Sequence, residues 1–318
     1  MDIVALDGYT LNPGDLSWEG FESLGTFISY DRTSKEKVIK RAKDADVIVI
    51  NKVEITKEIL NELPKLKYIG VLATGYNVVD IEAVKNKNIV VTNIPTYGTN
   101  SVAQMVFALL LELTQNVGLH SESTRNGEWN KSEDWCYWKK PLVELKGLTL
   151  GIIGLGRIGS AVANLGRAFS MRVLANDPAT PVSIPDLITM VDQDKIFKES
   201  DVISLHCPLT DENKEFVNAD KINLMKKSAF IINTSRGQLI KERDLASALN
   251  NDRIAGAALD VLSKEPPDEI NPLLSAKNCI ITPHIAWATK SARQRLMNIA
   301  VENLKAYLDG NPKNVISG

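Results

Sequence analysis

The sequence predicts an α/β fold, with two doubly wound parallel-sheet domains on one chain. Three observations lead there. Short β-rich runs alternate with helical segments, the order that builds a parallel sheet covered by helices. The runs are apolar from end to end rather than alternating, as strands buried on both faces are. A length of 318 residues, 44% of them hydrophobic, suits two domains of roughly 100–200 residues and supplies a large core.

In the first third the β-rich runs are 3–6, 47–50, 68–72 and 89–91. Segments 34–42 and 56–63 lie between them, the second with Ile55, Ile59, Leu60 and Leu63 at helical spacing. A longer helix is expected to begin at Asn100 or Ser101, either able to cap it. Val102, Val106, Leu109, Leu110 and Leu113 line one of its faces, and it reads as a spacer between domains. Residues 125–140 break the pattern, setting Gly127, Trp129, Trp135, Tyr137 and Trp138 among charges. Two readings stay open there: a packed loop, or an arm that buries aromatics against a second subunit of a homodimer. The alternation restarts with 149–153, 172–175, 202–205, 230–232, 254–259 and 279–281. After Trp287 comes one long amphipathic helix, with Leu296, Ile299, Ala300 and Leu304 on a common face. The expected domains are therefore 100–287 and, discontinuously, 1–99 plus 288–318.

Charge narrows the partners. Lys and Arg number 37 against 39 Asp and Glu, a net charge of -2 that argues against dedicated nucleic-acid or membrane-surface binding. The longest apolar stretch, 105–111, is far too short to span a bilayer, and the N-terminus lacks the basic start of a signal peptide. Cys136, Cys207 and Cys279 are odd in number and form no CxxC, so neither a disulfide framework nor a metal site is expected. A soluble, cytoplasmic protein is the expectation.

Gly154-Leu155-Gly156-Arg157-Ile158-Gly159 contains GxGxxG between an apolar run and a helical pattern. Gly154 permits the tight turn, Gly156 lets the backbone approach a pyrophosphate, and Gly159 permits close helix–strand contact. The helix N-terminus adds N–H groups and the positive end of a dipole. Asp177 stands 18 positions past Gly159, at the end of the next β-rich run. A carboxylate there accepts bonds from ribose hydroxyls and repels a 2′-phosphate, and Pro178-Ala179-Thr180 brings no Arg to receive one. The whole unit points to a Rossmann domain that takes NAD rather than NADP.

Three further polar residues follow β-rich runs, where open parallel sheets bind ligands. Arg236 lies in Asn233-Thr234-Ser235-Arg236-Gly237, Glu265 in Ser263-Lys264-Glu265-Pro266-Pro267, and His284 in Thr282-Pro283-His284. Together with Ser204-Leu205-His206-Cys207-Pro208-Leu209-Thr210 and Ala258-Leu259-Asp260-Val261, these strings resemble the D-isomer-specific 2-hydroxyacid dehydrogenase family along essentially the whole chain. The opening, from Leu6-Asp7-Gly8-Tyr9 to Asp15, and Ala73-Thr74-Gly75-Tyr76-Asn77-Val78-Val79-Asp80 resemble the branch that interconverts D-glycerate and hydroxypyruvate. Two departures stand out: many relatives have Gly-x-Gly-x-Asp where this chain has 73–77, and Glu where it has Gln104. Both bear on which acid is bound and leave the Arg–Glu–His set intact.

The resemblance implies a Rossmann NAD-binding domain beside a flavodoxin-like substrate domain, in an enzyme that transfers hydride between NAD and a small 2-hydroxy acid. By that resemblance His284 is the acid/base, and an unperturbed imidazole titrates near pH ~6.5. Glu265 bonds its other ring nitrogen, and Arg236 grips the substrate carboxylate and keto oxygen with its planar fork. Backbone N–H groups around Thr74 and Gly75 hold the carboxylate from the other domain. Asp260 orients the nicotinamide carboxamide. The cofactor is further met by Gly154, Gly156, Arg157, Ile158, Asp177, His206, Pro208 and Thr234, with Arg236 and His284 beside it. Tyr76 and Trp287 are the candidates for the wall around the substrate's third carbon. Three functions fit these residues. One is the glycerate reaction, with glyoxylate reduced as well. The second is another D-2-hydroxyacid dehydrogenase, though not one for D-3-phosphoglycerate, whose phosphate would need basic residues in surplus. The third is an NAD-sensing binding module of the co-repressor type, which a complete acid/base set disfavours.

Overall fold

The computed structural model describes residues 1–178 and 187–317. They form two compact units, residues 1–98 with 288–317, and Thr99–Trp287.

In the first unit the strands are β1 (Asp2–Ala5), β2 (Thr26–Ser29), β3 (Val47–Ile50), β4 (Tyr68–Val71) and β5 (Val90–Thr92). They pair in parallel in the order β2-β1-β3-β4-β5. Every residue of β3 and β4 is buried, which is why these strands are apolar without alternation. Each fully buried Val or Ile stabilises by about 1.5–3 kcal/mol. Strand order reverses between β1 and β3, the place where such sheets form ligand crevices. There Asp7 accepts N–H bonds from Asn51 (2.7 Å), Lys52 (2.5 Å) and Val53 (3.0 Å), pinning the loop after β3. The helix Lys290–Leu308 packs on β4 and buries Leu296, Met297, Ala300 and Leu304. Its Arg293 forks onto the Asp15 carboxylate with two 2.7 Å bonds, and the guanidinium holds that carboxyl below its ordinary range. Both acids of the opening string thus serve as pins within this unit.

The second unit contains β6 (Thr149–Ile153), β7 (Arg172–Asn176), β8 (Ile188–Met190), β9 (Val202–Leu205), β10 (Phe230–Asn233), β11 (Gly256–Leu259) and β12 (Cys279–Ile281). They run parallel in the order β12-β11-β10-β9-β6-β7-β8, with the reversal between β6 and β9. The doubly wound class is the one expected. β2 and β8 escape the apolar-run criterion. β2 is a largely exposed edge strand and β8 an edge strand of three residues, so neither needs a continuous apolar run.

The helix Thr99–Gln115 is not a spacer. It packs on the helix Arg157–Ala168, and Val106, Phe107, Leu109 and Leu110 share one core with Leu150, Ile152 and Val162. An apolar face by itself cannot distinguish a connector from a core helix, since both bury it. Asn100 and Ser101 do not cap this helix either. Both lie inside it, and the Ser101 hydroxyl donates to the Ala286 carbonyl at 2.8 Å. Among the described residues, no single helix is long and apolar enough to cross a membrane.

Candidate active site

After β6 the chain turns at Gly154, where φ is +94° and a Cβ would lie 2.5 Å from the Cys207 nitrogen. Only glycine fits that backbone and that approach. The His206-Cys207 backbone is thereby brought against the turn. Close contact recurs at Gly159, where a Cβ would lie 2.0 Å from the Gly154 oxygen. Gly156 caps the helix Arg157–Ala168 and has open space where a Cβ would stand. Asp177, past the end of β7, accepts the Leu155 N–H at 2.7 Å. Thr234 Oγ1, past the end of β10, is buried without a hydrogen-bond partner. An open helix N-terminus, a carboxylate on the neighbouring strand and an unmet hydroxyl suit a dinucleotide. Ala179 and Thr180, which enter the expectation of NAD over NADP, lie outside the described residues.

His206 follows β9, its Nε2 2.8 Å from Ser204 Oγ. Burial pushes its pKa down to about 3, so the ring stays neutral and offers no charge to a phosphate. Unfolding exposes an imidazole of ordinary pKa, about 6.5. Between that value and about 3, the unfolded chain takes up a proton that the folded ring refuses. Stability therefore falls with falling pH, by about 1.4 kcal/mol per unit from this group. Urea unfolding at about pH 6, 5 and 4 should show His206→Asn with a shallower loss than the parent. An equal slope in both proteins would assign the acid sensitivity to other groups.

β10, β11 and β12 are adjacent, and residues just past their carboxyl ends include Arg236, Asp260 and His284. A Cβ at Gly237 would lie 1.9 Å from the Leu262 carbonyl carbon, so the Arg236 turn abuts the loop leading to Glu265. Arg236 is exposed, and its Nη1 donates to the Ser235 carbonyl at 2.8 Å. Glu265 Oε1 accepts the Leu262 N–H at 3.1 Å, and its Oε2 lies 2.6 Å from His284 Nδ1. An ionised carboxylate can only accept, so Nδ1 carries the hydrogen and Nε2 is the nitrogen left for chemistry. Asp260 is 1% exposed and accepts from Thr282 Oγ1 (2.6 Å), Ile285 N (2.9 Å) and Ala286 N (2.8 Å). The structure joins Glu265 directly to His284. Sequence reasoning missed Thr282 and the packing of Gly237, because neither a lone hydroxyl nor a lone glycine announces its distant contact.

In the first unit the loop after β4 carries Thr74 and Gly75. Thr74 Oγ1 donates to the Ile94 carbonyl at 2.7 Å, and the Thr74 carbonyl accepts Asn93 Nδ2 at 2.8 Å. These bonds fix the loop through its hydroxyl and carbonyl groups and use none of its N–H groups. Burial raises the Cys207 thiol to about 11 and Cys279 to about 12, so neither is a thiolate at neutral pH. Among the described residues no cluster of three or more His, Cys, Asp or Glu is placed to hold a metal ion.

The family model for the D-isomer specific 2-hydroxyacid dehydrogenase NAD binding domain matches residues 107–286. The chain belongs to the D-isomer-specific 2-hydroxyacid dehydrogenases. It is an NAD-dependent oxidoreductase. This dehydrogenase is 51% identical over 321 residues to hydroxypyruvate reductase of Blautia hydrogenotrophica, covering 100% of both chains. It is 39% identical over 317 residues to glycerate dehydrogenase of Methylorubrum extorquens, covering 99% of this chain and 98% of that one. Among solved structures, D-lactate dehydrogenase from Aquifex aeolicus complexed with NAD and lactic acid matches with a TM-score of 0.83 at 32% identity. That match covers 100% of this chain and 99% of the other.

Proposed function

We propose that this dehydrogenase interconverts D-glycerate and hydroxypyruvate with NAD(H), and that it reduces glyoxylate as well. One observation carries the chemistry: the 2.6 Å pairing of His284 Nδ1 with Glu265 Oε2, which leaves Nε2 to move a proton. Likeness to a hydroxypyruvate reductase, at 51% identity over the full chain, supports the substrate. In this reading the unit Thr99–Trp287 holds the cofactor.

When bound, the nicotinamide supplies the hydride that adds to the second carbon of the keto acid. Protonated His284 gives its Nε2 proton to the oxygen that becomes the alkoxide, and neutral His284 takes it back in the alcohol direction. Glu265 keeps the hydrogen on Nδ1 and stabilises the imidazolium. Arg236 binds the carboxylate and keto oxygen through guanidinium N–H groups beyond the one given to Ser235. The backbone N–H groups of Thr74 and Gly75 are the further carboxylate donors that the family resemblance implies. Purified protein, NADH and a panel of 2-keto acids, followed by absorbance, test the assignment. Hydroxypyruvate should turn over, and failure with every keto acid would favour an NAD-sensing module.

We assign the preference for NADH over NADPH to Asp177, whose charge would repel a 2′-phosphate. Asp177→Ser should narrow that preference by about 10–100-fold, the worth of about one hydrogen bond to a charged group. A parent enzyme that uses NADPH better than NADH would refute this role.

We also infer a homodimer built on residues 129–138 and a cytoplasmic location. Trp135 is 86% and Trp138 66% exposed, although the segment itself is tied down. Trp129 Nε1 donates to the Trp135 carbonyl at 3.1 Å, and Lys139 N–H donates to His120 Nε2 at 3.1 Å. Uncovered aromatic rings on a hydrogen-bonded segment suit the core of an interface. Light scattering at micromolar concentration should give twice the chain mass, and a deletion within 129–138 should halve it. A monomeric parent would sink the idea. Free cysteines suit a reducing compartment. Neither nucleic acid nor membrane is proposed as a partner.

A further inference from the structure

We infer that Asp260 is a positioning residue for His284, its buried carboxylate clamping the loop that presents the imidazole. The inference rests on the proposed role of His284 as proton carrier and adds the group that holds it in place. His284 has a φ of +54°, the left-handed region that a residue with a Cβ enters only at a cost. Such a conformation persists where the surroundings over-determine it.

The surroundings here are the Asp260 carboxylate. Its three donors bracket the histidine in sequence: Thr282 Oγ1 two residues before, Ile285 N and Ala286 N one and two residues after. Thr282 N also donates to the Leu259 carbonyl at 2.9 Å, extending the β11–β12 ladder up to the clamp. His284 N donates to the Thr282 carbonyl at 2.9 Å, and Trp287 Nε1 donates to the His284 carbonyl at 2.9 Å. Backbone direction at His284 decides where its ring goes, and the ring must reach Glu265 at 2.6 Å. An ionised carboxylate that is 1% exposed would be costly without such donors, so its charge and the loop conformation stabilise each other. Asparagine at 260 keeps the volume but replaces one acceptor oxygen with an NH2 group, which opposes a loop N–H. Binding of the nicotinamide carboxamide is a different task for the same side chain, and the two separate by experiment.

Asp260→Asn, Thr282→Val and the double variant are compared with the parent in three measurements. These are NADH affinity by fluorescence titration, kcat and KM with hydroxypyruvate, and amide hydrogen exchange across residues 282–287. Asp260→Asn should lower kcat about 10–100-fold, the loss expected for charge-assisted hydrogen bonds, with the NADH dissociation constant changed by less than about threefold. Exchange at Ile285 and Ala286 should quicken about tenfold or more. Thr282→Val, which removes only the hydroxyl donor, should lower kcat about 3–10-fold. The double variant should be no worse than Asp260→Asn, because both changes act through one clamp. NADH affinity that falls in step with kcat, while exchange stays slow, would overturn the clamp in favour of carboxamide binding. Thr282→Val with parental turnover and parental exchange would overturn it too, and that variant decides the matter should Asp260→Asn not fold. If the parent reduces no 2-keto acid, the proposed reaction fails, and the exchange rates alone still test the clamp.

Discussion

Replacing His284 by Ala should lower turnover about 10²–10⁴-fold, the usual worth of a positioned acid/base, with NADH affinity nearly intact. The imidazole is half-buried and bonded to a carboxylate through Nδ1 at 2.6 Å, and the role proposed for it is proton movement at Nε2. Removing the ring leaves Glu265 its bond from the Leu262 N–H. Near-parental kcat in His284→Ala would remove this residue from the mechanism. Glu265→Gln separates charge from geometry. The amide can still meet Nδ1, but it no longer stabilises the imidazolium. Activity should survive in part, and the high-pH limb of the reduction profile should move to lower pH. An unmoved limb would reject the pairing as functional.

Hydroxypyruvate should be reduced with a higher kcat/KM than pyruvate, by a factor that reaches roughly 10⁴ in sites built to bond a hydroxyl. Pyruvate lacks the terminal hydroxyl, so polar groups that meet it are left unpaired and desolvated when pyruvate binds. Arg236 cannot supply the difference, because both substrates carry the same keto-carboxylate. Arg236→Lys should weaken both about equally, since a lysine loses the bidentate fork without touching the third carbon. Of the two residues expected to wall that carbon, Trp287 has its indole N–H committed to the His284 carbonyl, so it offers ring surface rather than a donor. Tyr76 is 42% exposed in the loop that also carries Thr74 and Gly75. A preference for pyruvate or for bulky keto acids would refute the glycerate assignment and spare the dehydrogenase one.

Several features of this molecule are legible in its residues alone, for a common reason. The parallel sheets announce themselves because a strand covered on both faces must be apolar at every position, as at Val47–Ile50. The glycine turn and Asp177 are legible because the G-x-G-x-x-G spacing and the carboxylate after the next strand fall within one β–α–β stretch. Arg236, Glu265 and His284 stand out by their place in strings shared with a family, and the fold brings the last two into contact across 19 positions.

What the residues alone leave undecided depends on distance in sequence. The helix Thr99–Gln115 is a core helix only through its packing on the helix Arg157–Ala168. The left-handed backbone of His284 has no local signal either, since histidine carries no glycine-like freedom. Asp7 collects N–H groups 44 to 46 positions away, and Asp260 collects donors 22 to 26 positions away. A carboxylate taken out of water must be satisfied by whichever donors the fold delivers, and sequence order says nothing about which those are. Local composition therefore decided the buried strands and the glycine turn, and long-range hydrogen bonding decided how the loops that carry Asp7, Asp260 and His284 are held.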